Sequence, residues 1–354
     1  MRLLPFFMTF VVAFFASGCG NASVELAKAK SAEARAKQAA NNARQVELAI
    51  STYEQANVQA IADQPQVDVE KENPVESNDP VAGKPGENVS SLVHEDLDAT
   101  AWVQTSAEYP SITLQTYRAA QTRLDAALAD PDWTAFAAQQ DKLTDENGKP
   151  LPPAVILDVD ETVLDNSGFQ AELIIKGGEY TPDIWHAWVE KRKARPIPGA
   201  KEFLDACRSA GVTTYLVTNR EFKAEEATRK NLEDLELIPT DAPDIVLSKR
   251  EKEDWTSDKT SRREFVAATH RILLMVGDDL NDFAYAGKNH TAASRRKIAA
   301  ENNVLFGDKW FMLPNPNYGG WERSLYQFDD RLPREKKLES KHAGMWTSES
   351  VVEE

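Results

Sequence analysis

Only two cysteines, Cys19 and Cys207, occur in 354 residues, so no disulfide framework holds this chain and its stability has to come from a packed interior. Positive charge is scarce as well. The 41 Lys and Arg stand against 57 Asp and Glu, a formal charge of −16, which repels a polyanion and argues against nucleic acid as a partner. That deficit is uneven: from Asp63 to Asp98 ten acidic residues face two lysines, half of the net charge, and the rest of the chain is only moderately acidic. Beyond the N-terminus no apolar run has the length of a membrane-spanning helix, and no internal repeat is present. The 42% of apolar residues that remain are enough for one large domain with extensions.

The N-terminus reads as an export signal, residues 1–18. Arg2 gives a positive start and Leu3 to Ala16 an apolar stretch too short to span a bilayer comfortably. It closes on Ala16-Ser17-Gly18-Cys19, which resembles a bacterial lipobox and departs from it only at Ala16, where Leu is usual. The resemblance implies lipidation of Cys19 and attachment to a membrane of the cell envelope. Each buried CH₂ of an acyl chain adds about 0.8 kcal/mol, so several chains on one residue hold firmly. Gly20 rather than Asp after the cysteine points to the outer membrane. An ordinary cleaved signal peptide is the plainer alternative. With Cys19 acylated, Cys207 has no partner, and its place on the apolar side of a helical pattern makes it core filler.

Ala22 to Gln64 is rich in Ala, Glu, Lys, Arg and Gln and free of Gly and Pro, which predicts a helical stalk over 19–62. Ala29, Ala32, Ala36, Ala39, Ala43, Val46, Ile50 and Tyr53 form a heptad seam through which copies of the chain would associate; a single solvated helix fits equally well. Pro, Asp, Glu and Asn over 63–90 describe a flexible acidic linker. A folded domain is expected over 91–333, and the Lys-, Glu- and Ser-rich tail 334–354 is expected to be disordered.

Within the domain Trp102, Ala107, Leu114, Tyr117, Ala120 and Leu124 have the spacing of helices packed on a core. Short apolar runs then alternate with amphipathic stretches. Ala154 to Leu157, Val212 to Val217, Ile245 to Leu247 and Ile272 to Val276 read as buried strands, and Ala200 to Ala210 and Ser257 to Thr269 as helices. The fold class is therefore α/β, a doubly wound parallel sheet, whose ligands bind at the carboxyl ends of the strands.

Those ends carry the polar residues. Asp158 and Asp160 close the first strand two positions apart and point to one side; two such carboxylates stay ionised at low cost only beside a cation, or else one takes a proton. Thr218 and Asn219 follow the second strand and offer a hydroxyl and an amide to anionic oxygens. Lys259 opens a helix, where its charge and the helix N-terminus both favour phosphate. Gly277 to Phe283 brings Asp278, Asp279 and Asp282, hard oxygen donors for a divalent cation. Taken singly, each motif has a plain reading as turn, cap or surface charge; four in order at successive strand ends point to one site.

The four motifs resemble the haloacid dehalogenase superfamily, and in detail its class C acid phosphatases, including the outer-membrane lipoprotein e type. Ile156 to Asn166 matches the first signature, with Phe169 where Tyr is usual, and Ile272 to Phe283 matches the second throughout. Ala101 to Leu128 and Leu313 to Glu322 extend the likeness, which runs from about Asn88 to Leu332 and leaves out stalk and linker. The resemblance implies a Mg²⁺-dependent hydrolase of small phosphomonoesters, such as nucleoside 5′-monophosphates and nicotinamide mononucleotide. Asp158 would be the covalent nucleophile and Asp160 the acid and base. Asp158, the Asp160 backbone carbonyl and Asp278 would hold the metal with Asp282 supporting it, and Thr218, Asn219 and Lys259 would hold the phosphoryl oxygens. A small helical cap is expected over about 169–198, with Phe169, Trp185 and Tyr318 as candidates for stacking on a substrate ring and Trp188 and His186 in cap packing. Two other classes are weighed beside this one. A receiver-like phospho-accepting module would not need Asp160, and an inert surface scaffold or adhesin would have the stalk as its working part.

Overall fold

The computed structural model describes residues 94–285, 287 and 291–345. The expected signal sequence, Cys19, the expected stalk and linker and the last nine residues lie outside the described residues. Among the described residues seven strands run in chain order: β1 (Pro153–Leu157), β2 (Leu164–Asp165), β3 (Arg195–Pro196), β4 (Thr213–Glu221), β5 (Val246–Lys249), β6 (Arg271–Gly277) and β7 (Trp310–Met312). Five of them form one sheet in the order β5-β4-β1-β6-β7, every pair parallel. β1 lies in the middle, so a side chain at its end has strand ends on both flanks.

The strands alternate between two cores, as a sheet covered on both faces requires. Val155 and Leu157 of β1, Leu216 of β4 and Leu274 and Val276 of β6 enter one core. Its other wall is α2 (Glu108–Ala129), with Tyr117, Ala120 and Leu124, and α5 (Ala200–Ser209), with Phe203, Leu204 and Cys207. Ala154, Ile156, Val217, Leu247 and Met275 enter the second core, against Trp255, Phe283, Trp310 and Val266 of α7 (Thr260–Ala267). The doubly wound sheet expected from the apolar runs is thus present.

Around it lie α1 (Leu97–Thr105), α3 (Ser167–Lys176), α4 (Pro182–Lys191), α6 (Glu225–Asp234), α8 (Ala292–Glu301), α9 (Gly320–Arg323) and α10 (Arg334–Ala343). Among the described residues no helix is long and apolar enough to cross a membrane.

Several boundaries differ from the expected ones. Ala107 is exposed and caps α2, while Tyr109, two residues on, takes the buried place. α7 is shorter than the stretch 257–269, with Lys259 as its N-cap. The three-residue strand β7 is too short to show in an apolar pattern. The tail 334–354, expected to be disordered, begins with helix α10; Lys341 pairs with Glu322 at 2.8 Å, Lys337 lies 5.6 Å from the Tyr326 ring, and Arg334 pairs with Glu95. Arg334, Lys337 and Lys341 thus have partners earlier in the chain, a signal that composition alone does not carry.

After β1 the chain leaves the sheet through β2 and returns through β3. These two pair antiparallel, Leu164 with Pro196 and Asp165 with Arg195, and they bracket α3 and α4. α3 ends on Gly177 at φ 62°, and α4 begins with Thr181 capping the Ile184 amide and Pro182 in its first turn. Phe169, Leu173, Trp188 and Val189 of the two helices pack on Ala224 and Ala227 at the start of α6. This is the expected cap, seated beside the end of β1.

Candidate active site

β1 is apolar and buried to Leu157, and the first polar side chain past it is Asp158, whose amide still donates to Val276 O of β6 at 3.0 Å. The next turn places Glu161 at φ 54°. Tyr117 of α2 donates its hydroxyl to Thr162 O at 2.7 Å inside the core, tying this turn to the helical layer.

Parallel pairing brings the neighbouring strand ends alongside. Lys259 is 4% exposed, and its ammonium lies 2.5 Å from Asp158 Oδ1 and 2.7 Å from Asp282 Oδ1. The Asp282 Oδ2 accepts from the Asp279 amide at 2.9 Å. This carboxylate lies so close over the end of β6 that a Cβ at Gly277 would collide with it, which explains the glycine there. Asp278 accepts from Asn315 Nδ2 at 2.8 Å and from Thr162 Oγ1 at 3.3 Å. Asp158, Asp278 and Asp282 each offer a carboxylate oxygen within 4.8 Å of the other two.

The electrostatics follow from this crowding. Burial, opposed by Lys259 and reinforced by Asp282 and Asp160, pushes the Asp158 carboxyl up to about 7. Burial and then the charges of Asp282, Asp158 and Glu161 push Asp278 well above the carboxylate range, against the Asn315 hydrogen bond. Burial pulls the Lys259 ammonium down, but Asp158 and Asp282 together outweigh it and the net shift is upward. Three hard oxygen donors with one ammonium among them are short of positive charge, and a divalent cation relieves that shortage. The donor set therefore fits a metal.

Along β4 side chains alternate, so Thr218 and Arg220 are buried on one side and Asn219 is exposed on the other. Thr218 Oγ1 is 3.5 Å from Asp160 Oδ2. Asn219 donates to Ser257 O at 3.2 Å and accepts from Arg262 at 2.8 Å. Arg262 is fully buried, donates to Thr218 O and to Thr256 O at 2.7 Å, and is pulled down to about 10 by burial. It braces the ends of β4 and of the loop before α7 from behind.

Asp158, Asp278, Asp282 and Lys259, singled out from the sequence, therefore meet at one point. Asp160 lies beside them, its carboxylate turned toward Arg220. Of the three stacking candidates, Phe169 is only 1% exposed and packs edge-on against Trp185 and Tyr180, so its ring is a support of the cap. Trp185 is partly exposed and lies 5.4 Å from the Arg220 guanidinium, and Tyr318 donates its hydroxyl to Glu161. Trp188 is buried as expected; His186 reaches Glu221 at 3.5 Å. Arg220, Asn166, Asn315 and Arg262 were not singled out. For Arg220 a signal existed, since on an extended strand it lies on the side of Thr218. For Asn315, carried in by the loop after β7, there was none.

Residues 88–321 match the family described as the HAD superfamily, subfamily IIIB (acid phosphatase). Among solved structures the chain is similar to the class C acid phosphatase from Bacillus anthracis, at 33% identity and a TM-score of 0.63 over 73% of this chain and 99% of that one. It is similar also to the class C acid phosphatase from Bacillus anthracis with tungstate bound, at 33% identity and a TM-score of 0.61 over 71% and 97% of the two chains.

Proposed function

Because this chain belongs to the HAD superfamily, subfamily IIIB, and is an acid phosphatase that hydrolyses phosphomonoesters, we propose that it works through a phosphoaspartate on Asp158 with Mg²⁺ as its metal. The observation that carries this reading is the meeting of the Asp158, Asp278 and Asp282 carboxylates within 4.8 Å, with the Lys259 ammonium against two of them. Asp158 attacks phosphorus in line and displaces the ester alkoxide, which splits hydrolysis into two easier steps. Asp158, the Asp160 carbonyl and Asp278, with Asp282 in support, would hold Mg²⁺, which would supply charge neutralisation for nucleophile and phosphate. Lys259 and Thr218 hold the transferring oxygens, and Asn219 steadies the loop beside them; positioning and charge are most of what this chemistry asks of a protein. Asp160 gives a proton to the leaving oxygen and takes one from the attacking water.

The cap favours an aromatic leaving group. Trp185 is partly open beside Arg220, and Tyr180 is 60% exposed at the cap edge. Tyr318 comes from the opposite loop. Stacking of a base on such rings contributes roughly 1 to 3 kcal/mol, so nucleoside 5′-monophosphates and nicotinamide mononucleotide are the proposed substrates. Tungstate, which the Bacillus anthracis relative binds, is a tetrahedral oxyanion of the kind such a pocket would take. From the sequence we further propose that Cys19 is lipidated and holds the protein on the outer membrane of a cell envelope.

Purified protein stripped of metal is assayed with adenosine 5′-monophosphate and with p-nitrophenyl phosphate, before and after addition of Mg²⁺. Activity is expected only with the ion and not in Asp158→Asn at all. Turnover that survives exhaustive chelation, or persists in that variant, would refute the mechanism.

A further inference from the structure

Asp160 is held in an unusual way for a group that must pass a proton. Its Oδ1 accepts from Arg220 Nε at 2.9 Å and from Asn166 Nδ2 at 2.9 Å, and Arg220 Nη2 pairs with the same oxygen at 2.8 Å. Among the described residues its Oδ2 has only the Thr218 hydroxyl, at 3.5 Å. That hydroxyl accepts the Arg220 amide at 3.0 Å, so its own proton is free to point at Oδ2 or at a phosphate. One oxygen of the carboxylate is pinned from two directions and the other is left for the ester oxygen or a water.

The pins are themselves anchored. Arg220 is 2% exposed and donates Nη1 to Thr228 Oγ1 at 3.2 Å and Nη2 to Asn166 Oδ1 at 3.1 Å. Asn166 is fully buried; its backbone N–H donates to Glu161 Oε1 at 2.8 Å, and its Oδ1 also accepts Trp188 Nε1 at 3.1 Å. Trp188 and Trp185 both belong to cap helix α4, and the Trp185 ring lies over the Arg220 guanidinium at 5.4 Å. The cap thus touches both residues that hold Asp160. A guanidinium is planar and rigid, and a lysine in its place could not reach Asp160, Thr228 and Asn166 at once in this fixed geometry.

We propose that Arg220 and Asn166 are positioning residues for Asp160, directing its Oδ2 at the ester oxygen, and that helix α4 sets their placement through Trp185 and Trp188. The proposal rests on Asp160 acting as acid and base. A substrate ring that seats Trp185 would then also seat Arg220 and so orient the acid, linking recognition of the leaving group to its protonation.

The test uses the difference between leaving groups. A nucleoside alkoxide needs a proton to depart, whereas p-nitrophenolate leaves without one. Full-length, Mg²⁺-loaded protein is assayed for kcat/KM on adenosine 5′-monophosphate and on p-nitrophenyl phosphate. Arg220→Met is expected to lose about 100-fold or more on the nucleotide and less than about tenfold on the aryl ester. Arg220→Lys should fall between wild type and Arg220→Met on the nucleotide, and Trp185→Ala should shift the ratio in the same direction by less. Should Arg220→Met not fold, judged by thermal melting, Arg220→Lys and Asn166→Ala read the same ratio. Equal losses on both esters, or a rise in KM alone, overturn the proposal. Asp160→Asn separates the two levels: if it fails to discriminate between the esters, the acid assignment itself is wrong, and if it discriminates while the Arg220 variants do not, only the positioning role falls.

Discussion

Lys259 and Asp158, 101 positions apart in the chain, meet at 2.5 Å between ammonium and carboxylate at the end of the central strand. The same ammonium reaches Asp282 at 2.7 Å, so one cation spans two acids that stand on different strand ends.

Lys259→Met leaves both carboxylates buried without that partner. Removing one member of a buried pair costs about 3 to 5 kcal/mol. The metal-free variant should therefore unfold at a clearly lower urea concentration than metal-free wild type, and Mg²⁺ should restore part of the difference by supplying positive charge. Turnover is expected to fall at least about 100-fold, because in the proposed mechanism the same ammonium serves the phosphoryl oxygens. A melting curve unchanged from wild type would show that the pair carries no net stability.

The Asp158 carboxyl, raised from its ordinary 3.8 to about 7 by burial and by Asp282 and Asp160, couples stability to pH. A raised carboxyl favours the folded state while it is protonated, and that contribution is lost as pH rises through the folded value. Asp278, raised for the same reasons, acts in the same direction. Metal-free protein should thus become less stable between about pH 4 and pH 7, and the stabilisation gained on adding Mg²⁺ should grow over that window. Calorimetric melting at several pH values, with and without the ion, measures both slopes.

Asn315 donates to Asp278 Oδ2 at 2.8 Å and so fixes the orientation of one of the three clustered carboxylates. Asn315→Ala should weaken Mg²⁺ binding by about 10- to 100-fold with little change in the melting of metal-free protein. Titration calorimetry of the stripped protein checks it; unchanged affinity would leave Asn315 with a purely structural part.

Cys207 lies in the core on α5, and burial pushes its thiol up to about 12. It should stay unlabelled by a thiol reagent at neutral pH in the native protein and react at once in denaturant. Mass spectrometry of the two samples decides.

Much of the fold was legible because apolar runs of strand length alternate with amphipathic stretches; Ala154 to Leu157 falls one residue short of β1 at its start, and Ile272 to Val276 one residue short of β6 at each end. β7 and α10 were not legible. The first is too short to show a pattern, and the second is a charged helix held by partners elsewhere in the chain, Glu95 and Glu322. For the site, Asp158, Asp278 and Asp282 could be named because acids cluster just past the buried runs of β1 and β6, and Lys259 because it stands at the start of a helical pattern. Phe169, a candidate for substrate contact by sequence, is buried against Trp185 and Tyr180; an aromatic side chain in a cap has the same appearance in sequence whether it faces a ligand or its neighbours.

The sequence by itself determined which strands are buried on both faces, and hence that their carboxyl ends carry the acids and the lysine; periodicity and polarity are local properties, and a linear chain displays them. It did not determine which way those side chains turn. That Asp160 Oδ1 is bound by Arg220 and Asn166, that Asn219 turns toward Ser257, and that Asn315 reaches Asp278 were decided only when parallel pairing and the cap brought distant segments together. Hydrogen-bond partners are a matter of angstroms in space, and separations of 60 or 37 positions along the chain carry no information about them.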